Sequence, residues 1–64
     1  MRTMSEFRAH VTNVGGLLVE GFREHRVLQL SEAQAREIAT LIPERFRPVV
    51  VLNGPDSFVR WKAD

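Results

Sequence analysis

The clearest periodicity in the chain lies in residues 31–46, SEAQAREIATLIPERF. Ala35, Ile38, Ala39, Ile42 and Phe46 recur at three- and four-residue spacing and form one apolar stripe, while Glu32, Arg36, Glu37, Thr40 and Glu44 fall largely on the other side. Ser31 suits an N-cap, Glu32 the first turn, and Gln34 stands at the capping-box spacing from Ser31. Pro43 has no N–H to donate and crowds the carbonyl of Ala39, so the helix must kink there or stop and resume as a short turn through Phe46, before Pro48 closes it.

A second pattern follows at once in RPVVVLNGPDSFVRWK, residues 47–62. The β-branched run and SFVRWK flank Asn53-Gly54-Pro55-Asp56, which predicts a hairpin over 48–62. A four-residue loop at 53–56 sets Leu52 opposite Ser57, Val51 opposite Phe58, Val50 opposite Val59 and Val49 opposite Arg60. Val50, Leu52, Val59 and Trp61 then share one face, and Val49, Val51, Phe58, Arg60 and Lys62 the other. A two-residue Asn-Gly loop ranks second, because it would set Pro55 into the ladder opposite Leu52.

The N-terminal half is less regular. In EFRAHVT, Phe7, Ala9 and Val11 alternate with Arg8, His10 and Thr12, which predicts a half-buried strand, and Asn13-Val14-Gly15-Gly16 follows as a turn. From Leu17 to Leu30 two readings compete. One is a pair of strands turning between Glu20 and Arg26; the other is a helix from Asn13 with Val14, Leu17, Leu18, Phe22 and His25 on one face. Gly15, Gly16 and Gly21 would each weaken a helix by ~1 kcal/mol, and they favour strands. VLQL, just ahead of Ser31, reads as a short strand leading into the helix.

These elements add up to an α+β fold: a small antiparallel sheet of four or five strands packed on one helix, about 31–46, with a C-terminal β-hairpin over 48–62. With 64 residues and no linker, repeat or low-complexity tract, residues 1–64 read as a single compact domain. A chain this short buries only ~60% of its unfolded surface. It has no cysteine and only two histidines, so neither disulfides nor a structural zinc site is expected, and oligomerisation gains weight as a source of stability.

The two apolar faces of the hairpin are the feature most relevant to function. One helix covers one sheet face, which leaves Val49, Val51 and Phe58 on the other. Either the N-terminal hairpin curls over them to make a barrel-like core, or a partner does, being a second copy or another protein. Arg60 and Lys62 share this face and are expected at its rim, so the expected partner-binding residues are Val49, Val51, Phe58, Arg60 and Lys62.

Charge and chemistry narrow the function further. Nine basic and eight acidic residues give a net charge of +1, which neither draws the chain to nucleic acid nor keeps it away. The opening MRTMSEFRAH carries charges where an export signal needs an apolar run, and no stretch approaches the ~20 apolar residues of a membrane span, so a cytoplasmic protein is expected. His10 and His25 lack companions at metal-ligand spacing, Ser31 is explained by capping, and Gly15-Gly16 lacks the longer phosphate-loop pattern. No catalytic, metal or cofactor-binding residue is therefore assigned. A catalytic site would need to form across a subunit interface with His10 or His25. Trp61 shares its face with Val59 and is assigned to packing.

The expected function is that of a small non-catalytic protein-binding protein, an adaptor, inhibitor or accessory subunit, with self-association as one form of it. The alternative is a nucleic-acid-binding module using Phe58, Arg60 and Lys62, because an aromatic beside basic groups on an open sheet can hold single strands. A recognition helix is disfavoured by Glu32, Glu37 and Glu44 on the exposed side of 31–46.

Overall fold

Ser31 caps its helix as the sequence predicts. Its hydroxyl accepts the Gln34 N–H at 3.1 Å and the Gln34 side chain accepts the Ser31 N–H at 3.0 Å, closing both halves of the capping box. The structure, a computed structural model, describes residues 4–63. Its elements are helix α1 (Met4–Asn13), strands β1 (Leu17–Glu20) and β2 (Glu24–Leu30), helix α2 (Glu32–Thr40), a 3-10 turn (Glu44–Phe46), and strands β3 (Val49–Val51) and β4 (Ser57–Lys62). The strands form one antiparallel sheet in the order β1-β2-β4-β3, with β3 and β4 as the C-terminal hairpin. The fold is α+β, as the sequence indicates, and its sheet has four strands.

α2 stops where Pro43 demands. Leu41 and Ile42 tighten into bonds to the carbonyls of Ile38 and Ala39, and the chain resumes as the 3-10 turn with Phe46 N–H on Pro43 O at 3.0 Å. Ala35, Ile38 and Ile42 of the apolar stripe are buried, with Ala39 and Phe46 packed beside them.

The segment EFRAHVT is a helix, and the expected first strand is overturned. Phe7 and Val11 are both 2% exposed, but Ala9 between them is exposed, which a strand alternation would have buried. Residues four apart lie on one side in a helix and in a strand alike, so Phe7 and Val11 could not distinguish the two. α1 ends in a Schellman motif. Gly15, at φ 77°, sends its N–H to Thr12 O at 3.0 Å, and Gly16 sends its own to Val11 O at 2.9 Å. The chain thus has a second helix besides α2.

The reading of 17–30 as two strands holds, with the turn at Gly21, whose N–H meets Glu24 O at 3.0 Å. β2 carries a bulge that the sequence did not predict. Val27 pairs with Val59 but Leu30 pairs with Ser57, so β2 has one extra residue between them, and Gln29 takes the left-handed conformation at φ 62°. That single insertion lets Val27 and Leu30, three apart, both reach the core at 0% exposure.

Both helices pack on the same side of the sheet. Phe7 and Val11 of α1, Ala35, Ile38 and Ile42 of α2, Val27 and Leu30 of β2, and Val59 and Trp61 of β4 make one buried cluster. Phe7 meets Trp61 edge-on at 5.5 Å, which confirms Trp61 as a packing residue. An ion pair, Arg8 Nη2 to Glu20 Oε1 at 2.6 Å, ties α1 to β1. Leu52 is a correction: it is 41% exposed and lies beyond β3. Its expected slot is taken by loop hydrogen bonds, since the buried Ser57 hydroxyl accepts the Asn53 N–H at 2.9 Å and donates to Gly54 O at 2.7 Å. No helix among the described residues is long and apolar enough to cross a membrane.

Candidate functional site

With both helices on one side, the opposite face of the sheet is left without cover from any described residue. The N-terminal hairpin does not curl over it; β1 and β2 extend the same sheet beyond β4. The hairpin register is the one a four-residue loop dictates, Val49 to Arg60, Val50 to Val59 and Val51 to Phe58. It therefore places Val49, Val51, Phe58, Arg60 and Lys62 together on the open face, while Val50 joins the core.

The remaining registers complete that face as three rows running across the strands. The first is apolar throughout: Leu17 stands opposite Leu28, Phe58 lies beside the bulge that follows Leu28, and Val51 stands opposite Phe58. In the second row Val19 faces Arg26, Arg26 faces Arg60, and Arg60 faces Val49. In the third Glu24 faces Lys62. Arg60 thus sits in the middle of the face rather than at its margin. Leu17, Val19 and Val49 are 46%, 41% and 41% exposed, and Leu28, Val51 and Phe58 are half-buried by their neighbours in the sheet.

Two arginines directly opposite each other on adjacent strands repel. Glu24 resolves the conflict by reaching both: its Oε2 accepts from Arg26 Nε at 2.7 Å and its Oε1 from Arg60 Nη1 at 3.1 Å. The bond from Arg26, followed by that from Arg60, holds the Glu24 carboxyl below the ordinary carboxylate range. The trio is a fixed polar island in an apolar face.

Two features near one end of the sheet escaped sequence reasoning. Phe22, at the tip between β1 and β2, is 96% exposed. Its only signal was an aromatic beside the turn glycine, which both competing readings of 17–30 accommodated. Near Lys62, an open groove of about 440 Å³ is lined by Arg45, Phe46, Lys62 and Ala63, with the Arg45 guanidinium 4.7 Å above the Phe46 ring. Leu17, Val19, Glu24, Arg26 and Leu28 were also missed as face residues, because the strand bounds that orient them were open.

Neither histidine lies on the open face. His25 pairs in register with buried Trp61, its ring 5.7 Å from the indole, and its Nδ1 is buried without a hydrogen bond. His10 Nε2 stands 3.0 Å from Glu37 Oε1, an ion-pair distance without hydrogen-bond geometry, and links α1 to α2. Among the described residues no three His, Cys, Asp or Glu side chains converge to hold a metal ion. Comparison of the chain with models of known families, with curated proteins and with solved structures finds no match in any of the three.

Proposed function

We propose that the chain is a small non-catalytic protein-binding protein, of the adaptor, inhibitor or accessory-subunit kind, that docks through its open sheet face. The observation that carries this reading is the row Leu17, Leu28, Phe58 and Val51, which crosses all four strands and meets no covering element among the described residues. Apolar side chains left uncovered across a whole sheet are surface that a partner can bury. Arginines set inside an apolar patch are typical of protein interfaces, where a planar guanidinium loses its weak hydration at modest cost.

The nucleic-acid reading gains Arg26, which joins Phe58, Arg60 and Lys62 on one face. It is weakened by Glu24, whose carboxylate occupies both arginines and would be pushed against phosphate. Salt separates the two readings. Nuclease-treated extract passed over immobilised wild-type and Phe58→Asp protein should yield proteins held by the wild type alone and retained at high salt. Equal capture by both forms, or capture that disappears with nuclease or with salt, would count against protein binding through this face.

A further inference from the structure

We propose that the occupant of the open face is a second copy of the chain, packed sheet on sheet about a two-fold axis that runs along the strands between β2 and β4. The inference rests on the protein-binding reading above and names the partner. Rotation about that axis keeps each row in place and exchanges β1 with the partner's β3 and β2 with the partner's β4. Leu17 then lies over the partner's Val51, Leu28 over the partner's Phe58, and Val19 over the partner's Val49. Glu24 lies over the partner's Lys62, and the reciprocal pair forms by symmetry.

The face therefore matches itself, apolar on apolar and acid on base, except for Arg26 over the partner's Arg60. Those guanidiniums are already held by Glu24 at 2.7 and 3.1 Å, which leaves their planes free to stack. A two-fold across the strands through the middle row would instead lay the apolar row on Glu24 and Lys62, and it is disfavoured. The same axis brings the exposed Phe22 tip toward the end of the partner's β4, at the partner's Lys62.

Area sets the strength. Four strands ~4.8 Å apart and about five residues deep at ~3.3 Å each give roughly 300 Å² of sheet in projection. Side chains standing from it raise the accessible area, so two faces together approach the ~1,000 Å² at which specific interfaces begin. An interface at this low end of the size range belongs with weak, transient contacts, so the dimer is expected to dissociate on dilution. Each face carries Arg26, Arg60 and Lys62 against Glu24, so like net charges meet, and added salt strengthens the dimer by screening.

The chain has no cysteine, which makes the geometry directly testable. Single variants Val19→Cys and Val49→Cys are mixed and treated with a short bis-maleimide, and molar mass is followed by light scattering over a hundredfold dilution at low and high salt. The expected result is a concentration-dependent dimer, tighter at high salt, weakened at least about tenfold by Phe58→Asp. The mixed Val19→Cys and Val49→Cys pair should cross-link well beyond either variant alone. A monomer throughout overturns the second copy while leaving the protein-binding reading to its own capture test. A dimer indifferent to Phe58→Asp forms through another surface and overturns the second copy as occupant of this face, again leaving the protein-binding reading to its capture test, and preferential cross-linking of Val19→Cys to itself overturns the axis.

Discussion

Gly16 is where α1 is fitted onto the bulge of β2, and substituting it should expose how tightly that junction is made. A Cβ at this position would stand 2.9 Å from Val27 Cγ1, 3.0 Å from Leu30 Cδ2 and 3.1 Å from Val11 Cγ1. Carbon atoms in good contact sit ~3.5–4.0 Å apart, so all three neighbours must move. All three are buried at 2% exposure or less, in one cluster, with no solvent to swing into. Overpacking of this kind costs about 1–3 kcal/mol. Gly16 is not in the left-handed region, so alanine adds no backbone strain and recovers about 0.4–1 kcal/mol through a stiffer unfolded chain. The net expectation for Gly16→Ala is a loss of about 1–2 kcal/mol, read as a fall of roughly 4–16 °C in Tm for a domain of this size. Urea melts should show a lower midpoint at unchanged slope. Val11→Ala removes one of the obstructing methyls, so the double variant should be less destabilised than the two single losses added together. Gly16→Ala as stable as the wild type, or strict additivity with Val11→Ala, would refute the packing of α1 on the bulge.

Two further outcomes test the face and the bulge. Glu24 has a lowered pKa in the folded state, so its contribution is present above the ordinary carboxylate range and is lost as pH falls through the lowered value; wild-type Tm should drop across that acidic window, and Glu24→Gln should be less stable at neutral pH and lose that part of the acid dependence, as thermal melts at stepped pH would show. Gln29 holds φ 62° in the bulge, where a side chain costs ~1–2 kcal/mol and glycine pays ~0.5–1 kcal/mol in entropy, so Gln29→Gly should stabilise by roughly 0.5 kcal/mol in urea titration, and clear destabilisation would argue against the bulge.

The C-terminal half was legible because its signals are local and agree with one another. Ser31, Gln34 and Pro43 bracket a helix by backbone chemistry, and the Asn53–Asp56 loop length fixes which of Val49 to Val51 meets which residue of 58–60. That register alone sorted the hairpin faces and so found half of the candidate site. The N-terminal half failed on a degeneracy: Phe7 and Val11 satisfy both periods. The evidence for a helix lay just outside it, in Gly15, which argued against a helix beginning at Asn13 and also marks the end of one there. Leu52 and Gln29 show the limit of alternation. A loop that folds over Ser57 and a bulge with one extra residue each break the two-residue period, and both depend on contacts with distant strands.

Phe58 and Val59 are neighbours in β4 on opposite faces, and one pair of substitutions tests whether the sheet is open on one side. Equilibrium urea unfolding of Phe58→Asp and Val59→Asp should be measured at a concentration where the wild type is monomeric. Val59 is 0% exposed in the core cluster that both helices join, so a carboxylate there should abolish cooperative folding. Phe58 faces outward and is half-buried only by its neighbours in the sheet, so Phe58→Asp should still fold cooperatively, at a cost of about 1–3 kcal/mol in lost packing and strand preference. Loss of folding in both variants would contradict the open face, because it would mean that Phe58 is also enclosed by its own chain.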